Sequence, residues 1–121
     1  MKKVLLLFIV GILLGCSCQS AQYQMITGKD AYTMFQNGAI IIDVRTKEEY
    51  ELEHISGAIN IPTDQIDSGK IKNILSSYDS NIIVYCRSGA RSKSAANILI
   101  ELGYNNVYDL GSINNWDGNF E

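Results

Sequence analysis

The sequence predicts an α/β fold, a three-layer sandwich with a mostly parallel sheet of about five strands flanked by helices. Two observations predict it. Short apolar runs alternate with segments of helical character along the whole chain from Tyr23 onward. Two of those runs, Ala39–Val44 and Ile82–Tyr85, are continuously apolar (the first broken only by Asp43) rather than alternating. Such runs suit strands covered on both faces, as in a parallel sheet.

The elements follow in order. Tyr23–Ile26 reads as a short first strand. Thr27-Gly28-Lys29-Asp30 is a loose capping box that opens a short helix over Ala31–Gln36, and Asn37-Gly38 ends it. Ala39–Val44 is the second strand. Thr46 and Glu49 form a clean capping box for a helix reaching about His54. Gly57–Ile61 is a third strand, stopped by Pro62, the single proline. Ile71, Ile74 and Leu75 recur at helical spacing, so a helix is expected over Lys70–Ser77. Ile82–Tyr85 is the central strand, and Lys93–Leu102 the helix after it, ended by Gly103. Asn106–Leu110 is the last strand, Gly111-Ser112 a turn, and Ser112–Trp116 a short closing helix.

The first residues are read as outside this fold. Lys2 and Lys3 form a basic start, Val4–Leu14 is unbroken apolar sequence, and Leu13-Leu14-Gly15-Cys16 follows. The stretch is short for a membrane span and fits a secretory signal. Its end resembles the lipobox of bacterial lipoproteins. That resemblance implies cleavage after Gly15 and lipidation of Cys16. A plain soluble export signal is the alternative. The expected organisation is a signal peptide over 1–15, a tether over 16–22 and one domain over 23–121. The protein would then be exported and anchored by lipid to a membrane, facing the periplasm or cell exterior. The whole chain carries a formal charge of −3, and losing the two lysines makes it more acidic. An acidic domain is a poor nucleic-acid binder, because phosphate contacts need a basic surface.

Of three cysteines, Cys16 is assigned to lipid, Cys18 lies in the tether and Cys86 is alone in the domain. Cysteine count alone suggests Cys18 as a resolving thiol. Cys86 opens the run Cys86-Arg87-Ser88-Gly89-Ala90-Arg91-Ser92, between the central strand and a helix. A strand-to-helix turn aims backbone N–H groups and a helix N-terminus at the sulfur, and both favour an anion. The thiolate is the reactive form of cysteine, so such a turn makes a nucleophile. The plainer reading, a small buried core residue, sits badly with the flanking arginines. In open α/β sheets ligands bind beyond the carboxyl ends of the strands. Asp43 and Arg45 end another strand and are expected on the same rim, as a bracing ion pair. Glu48, Glu49, Glu51 and Glu53 read as a solvated helix face with no metal-ligand spacing. His54 reads as structural, and Trp116 as a packing residue.

The stretch from Tyr23 to Trp116 resembles a single-domain rhodanese. The resemblance rests on Ile42-Asp43-Val44-Arg45, Glu49-Tyr50, His54-Ile55-Ser56-Gly57-Ala58-Ile59-Asn60-Ile61-Pro62, the Cys86–Ser92 turn, and Leu110-Gly111 followed by Trp116. Two departures are visible: Glu53 stands where the family usually has glycine, and Gly111-Ser112 where it often has paired glycines. The resemblance implies a sulfurtransferase. Cys86 would take a sulfane sulfur from a small sulfur-containing anion such as thiosulfate, forming a persulfide, and pass it to cyanide or a thiol. The amides of Arg87–Ser92 would cradle the outer sulfur, and Arg87 and Arg91 would add positive potential. No metal or organic cofactor is implied.

Two rivals share the fold. Cysteine-dependent phosphatases and arsenate reductases place an arginine six residues after the cysteine, to make room for a tetrahedral anion. Here Arg91 is the fifth residue after Cys86 and Ser92 the sixth, a turn sized for one sulfur atom. A non-catalytic rhodanese-like binding module is the other rival, and such modules often lack the cysteine.

Overall fold

A computed structural model describes residues 21–67 and 69–121. The signal-peptide, Cys16 and Cys18 assignments lie outside these residues. Five strands, β1 (Gln24–Met25), β2 (Ile40–Asp43), β3 (Ile59–Asn60), β4 (Asn81–Cys86) and β5 (Asn106–Ser112), form one sheet in the order β1-β5-β4-β2-β3. Every pairing between them is parallel. Parallel neighbours need crossover connections. Four α-helices appear among the described residues: α1 (Gly28–Gln36), α2 (Lys47–Leu52), α3 (Lys70–Ile74) and α4 (Ala90–Glu101).

The side-chain alternation of β4 divides the core. Ile82, Val84 and Cys86 join Ile42, Val44, Ile71, Leu75, Ala95, Ala96 and Leu99 on one face of the sheet. Ile83 and Tyr85 join Ala31, Ile41, Ile55, Leu110, Ile113 and Trp116 on the other. Both faces of β2 and β4 are buried, which explains their unbroken apolar runs. Trp116 packs edge-on against Tyr32 and Phe35, at 5.6 and 6.0 Å between ring centres.

Several elements differ from expectation for local reasons. Helix α2 stops at Leu52 because residues 54–56 pair with the chain end instead. His54 N–H donates to Glu121 O at 2.9 Å, and Glu121 N–H returns the bond at 2.8 Å. The polar stretch after Pro62 contains a 3₁₀ turn over Thr63–Gln65, and α3 ends at Ile74. Helix α4 begins at Ala90, three residues before the expected Lys93. Strand β5 runs through Gly111 to Ser112, and the closing helix is a 3₁₀ turn over Ile113–Asn115. A β-bulge makes that extension possible. Val84 faces Asp109, but Tyr85 faces Gly111 and Cys86 faces Ser112, so β5 carries one extra residue at this point.

The topology places a crevice. From β2 the chain moves outward to β3, whereas from β4 it moves the other way to β5. The neighbouring strands β2 and β4 therefore flank a topological switch point, where ligands bind in sheets of this kind. Asp43 ends β2 and Cys86 ends β4.

Candidate active site

Cys86 is the last residue of β4 and exposes no surface. The chain then turns through Arg87, Ser88 and Gly89 into α4. Gly89 has φ +102°, a left-handed conformation that a side chain would strain. This conformation turns the chain into α4 just after the Gly89 N–H, which donates to Cys86 Sγ at 3.0 Å. Burial, the largest single influence, pushes the Cys86 thiol up. The Ser92 amide and hydroxyl and the amides of Gly89 and Ser88 together outweigh it, and the thiol titrates below its ordinary value. Ser92 is fully buried in the first turn of α4, where helix amides lack intrahelical partners. Its hydroxyl also donates to Gly89 O at 3.1 Å, so its one proton serves either the carbonyl or the sulfur.

Arg91 is held by a partner the sequence did not reveal. Its Nη1 donates to Glu49 Oε1 at 2.6 Å and its Nη2 to Glu49 Oε2 at 3.0 Å. Glu49 was expected on a solvated face. Instead it closes the capping box of α2, accepting from the Thr46 N–H at 3.4 Å, and clamps the first turn of α4. The Arg91 bond, the largest cause, pulls the Glu49 carboxyl down to about 2. The same bond raises Arg91 first, and the Cys86 charge adds to it. Arg91 thus contributes positive potential to the sulfur, but with a carboxylate beside it. The leading stabilisers of the thiolate are backbone amides and Ser92.

Asp43 and Arg45 form the expected pair. Arg45 Nε and Nη2 donate to Asp43 at 3.0 and 2.7 Å, and Arg45 Nη2 also donates to Glu53 O at 2.6 Å. Burial opposes the Arg45 charge, but Asp43 outweighs it. The Tyr85 hydroxyl donates to Asp43 Oδ2 at 2.7 Å and accepts from Ile55 N–H at 3.1 Å. Burial first, then donation to Asp43, keep that hydroxyl protonated. Asn60 Nδ2 donates to the carbonyls of Asp43 and Arg45. The Asp43 carboxylate and the Tyr85 hydroxyl are taken up within this cluster, so it braces the rim. The glycine expected before the histidine is dispensable here, because Glu53 enters the network through its backbone carbonyl.

Arg87, Ser88 and Ala90 are exposed on the turn. Arg87 lines a surface depression with Arg45, Glu49, Leu52 and Ile113. His54 is occupied elsewhere: its ring stacks on Tyr50 at 3.7 Å and its nitrogens meet Tyr50 O and Glu121. Ser112 escaped notice as a site residue because the Gly-Ser pair reads as an ordinary turn. Its hydroxyl donates to Arg87 O at 2.7 Å.

A parallel sheet that presents a buried thiol to inward-turned amides at its switch point defines an α/β protein built around a thiolate-holding cysteine turn. The chain belongs to the rhodanese-like domain family, whose model matches residues 27–119. Thiosulfate sulfurtransferase PspE of Escherichia coli (strain K12) is 39% identical over 72 residues, covering 60% of this chain and 68% of that protein. Thiosulfate sulfurtransferase GlpE of Haemophilus influenzae (strain PittEE) is 33% identical over 95 residues, covering 78% and 88%. Among solved structures, a rhodanese with anions from E. coli superposes with TM-score 0.66 at 33% identity, covering 69% of this chain and 98% of that one. The BH2092 protein of Bacillus halodurans gives TM-score 0.69 at 30% identity, covering 83% and 77%.

Proposed function

We propose that this protein is a rhodanese-type thiosulfate sulfurtransferase in which Cys86 carries the sulfur. The observation that carries the reading is the Cys86 turn: an amide at 3.0 Å from Sγ, with Arg91 five residues on, in a chain whose family relatives include thiosulfate sulfurtransferases. The Cys86 thiolate attacks the outer sulfur of thiosulfate. The S–S bond of the donor breaks, its electron pair leaves with sulfite, and a Cys86 persulfide forms. Cyanide or a thiolate then attacks the outer sulfur, and Cys86 recovers its electron pair as thiolate. The amides of the turn hold negative charge on the sulfur in both halves. Thiosulfate:cyanide transfer is expected in the wild type and absent in Cys86→Ser. Transfer by both proteins, or by neither with any sulfur donor, would overturn the reading.

The N-terminal sequence supports a location. Lys2-Lys3, the apolar run and Leu13-Leu14-Gly15-Cys16 support the reading of an exported enzyme, tethered through residues 16–22 by acyl chains on Cys16, with the catalytic domain over 23–121. Two acyl signals or more give stable anchoring. Among the described residues no helix is long and apolar enough to cross a membrane. Labelled palmitate should enter the wild type and not Cys16→Ala. An unlabelled wild type would remove the anchor.

A further inference from the structure

The bulge in β5 has a consequence for the turn. Continued without it, the register from Val84–Asp109 would set Gly111 opposite Cys86; the extra residue sets Ser112 there instead. Bulges near functional sites re-aim a side chain, and here the side chain is a hydroxyl. Both capacities of that hydroxyl are engaged. It accepts from Asn114 N–H at 3.1 Å, which starts the 3₁₀ turn, and donates to Arg87 O at 2.7 Å. Its single proton is therefore committed to the turn.

No peptide bond among the described residues is cis, so the Arg87–Ser88 peptide is trans and planar. In such a unit the carbonyl of Arg87 and the N–H of Ser88 point in opposite directions. Whatever holds the carbonyl aims the N–H. The next peptides are held by other means: Gly89 N–H is on the sulfur, and Gly89 O accepts from Ser92 Oγ and Lys93 N–H. The Arg87 carbonyl is held by Ser112.

We propose that Ser112 is a positioning residue of the Cys86 turn, fixing the Arg87–Ser88 peptide plane so that the Ser88 N–H faces the sulfur. This deepens the sulfurtransferase reading, since it treats Cys86 as the working thiol. Ser112 touches neither sulfur nor substrate. The charged groups around the turn are Arg87, Arg91 with its partner Glu49, Arg45 with Asp43, and Asp109 of β5, whose Oδ1 accepts from Gly111 N–H; Ser112 takes part in neither ion pair.

The test uses the full chain. Cys86 ionisation is followed by ultraviolet thiolate absorbance, with Cys86→Ser subtracted to remove the other thiols. Ser112→Ala is expected to raise the midpoint by about half a unit, leaving about threefold less thiolate below it. Ser112→Thr, which keeps the hydroxyl, should restore the wild-type midpoint. In the transfer assay Ser112→Ala should lower kcat by about threefold and leave KM for thiosulfate unchanged. An unchanged midpoint in folded Ser112→Ala, or a raised midpoint in Ser112→Thr equal to that of Ser112→Ala, overturns the proposal. Ser112→Gly removes the same hydroxyl and serves if the alanine variant fails to fold. In the wild type, the Ser88 amide proton resonance should follow the Cys86 titration, and an indifferent resonance also overturns it. A wild type without transfer activity sinks the sulfurtransferase reading, while the titration still decides Ser112.

Discussion

Replacing Glu49 by glutamine separates the clamp on Arg91 from the helix cap. Glutamine still completes a capping box, so the change removes the charge pairing and leaves the start of α2 intact. A Glu49 carboxyl held at about 2 instead of 4.5 corresponds at face value to about 3 kcal/mol. The Arg91 side chain is 38% exposed and that of Glu49 29%, so water and salt screen the pair. The expected loss is about 1–1.5 kcal/mol at neutral pH, above the usual surface pair because the geometry is bidentate. The pH dependence follows from the direction of the shift. A carboxyl lowered on folding stabilises above its unfolded value of about 4.5, and that stability fades as pH falls toward 2. Urea unfolding of wild type and Glu49→Gln should therefore show a gap at pH 7 that narrows below about pH 4.5. Adding Arg91→Gln should give a double-mutant coupling of about 1 kcal/mol. Equal stabilities at pH 7, or a gap that is constant down to pH 2, would refute the reasoning.

Asp43→Ala leaves the Arg45 guanidinium, 7% exposed, without its carboxylate and the Tyr85 hydroxyl without its acceptor. A loss of about 3–5 kcal/mol is expected in urea unfolding, and a loss below about 1 kcal/mol would contradict the bracing role. In Gly28→Ala, helix propensity alone favours alanine by about 1 kcal/mol. The new Cβ would lie 1.8 Å from Asn115 O, and backbone must move, so a net loss of about 1–3 kcal/mol is expected; a raised melting temperature would show the 3₁₀ turn yields freely. The lowered Cys86 thiol sets the acid limb of the first half-reaction, whose rate follows the thiolate fraction. That limb should fall below the ordinary thiol value of about 8.5, and a limb at or above it would contradict the amide cradle.

The parts of this structure legible in the sequence are those decided within a few residues. Ile82–Tyr85 is apolar because β4 is covered on both faces, and Thr46–Glu49 caps α2 as its spacing implies. Arg91 and Ser92 looked like loop because polar residues fill the first turn of α4, where unpaired amides tolerate them and the helical period is not yet visible. Gly111 looked like a turn because glycine usually ends a strand. Here it carries φ +77° inside a bulge, a choice made by register with β4. Glu49 and Arg91 are 42 positions apart, and no local pattern distinguishes a clamped carboxylate from its solvated neighbours. The same holds for Ser112 and the Arg87 carbonyl, which meet only because β4 and β5 are adjacent.

The electrostatics of the site follow from how its charges are paired. Two of the three arginines near Cys86 face carboxylates, Arg45 with Asp43 and Arg91 with Glu49. Each carboxylate offsets its arginine, although Arg91 still adds to the potential at the sulfur. What remains aimed at Sγ is a set of neutral dipoles, fixed by Gly89's left-handed backbone, by the start of α4 and by Ser112. Burial opposes a charge on Cys86, yet the same exclusion of water strengthens each amide that faces it. Dipoles locked by their own hydrogen bonds need not reorganise when sulfur arrives or leaves. Strong unpaired cations would hold the Cys86 thiolate so firmly that it would be a poorer nucleophile toward the donor. The exposed Arg87 is left as the cation at the mouth, with no ion pair among the described residues, placed where a doubly charged donor approaches rather than where the sulfur is held.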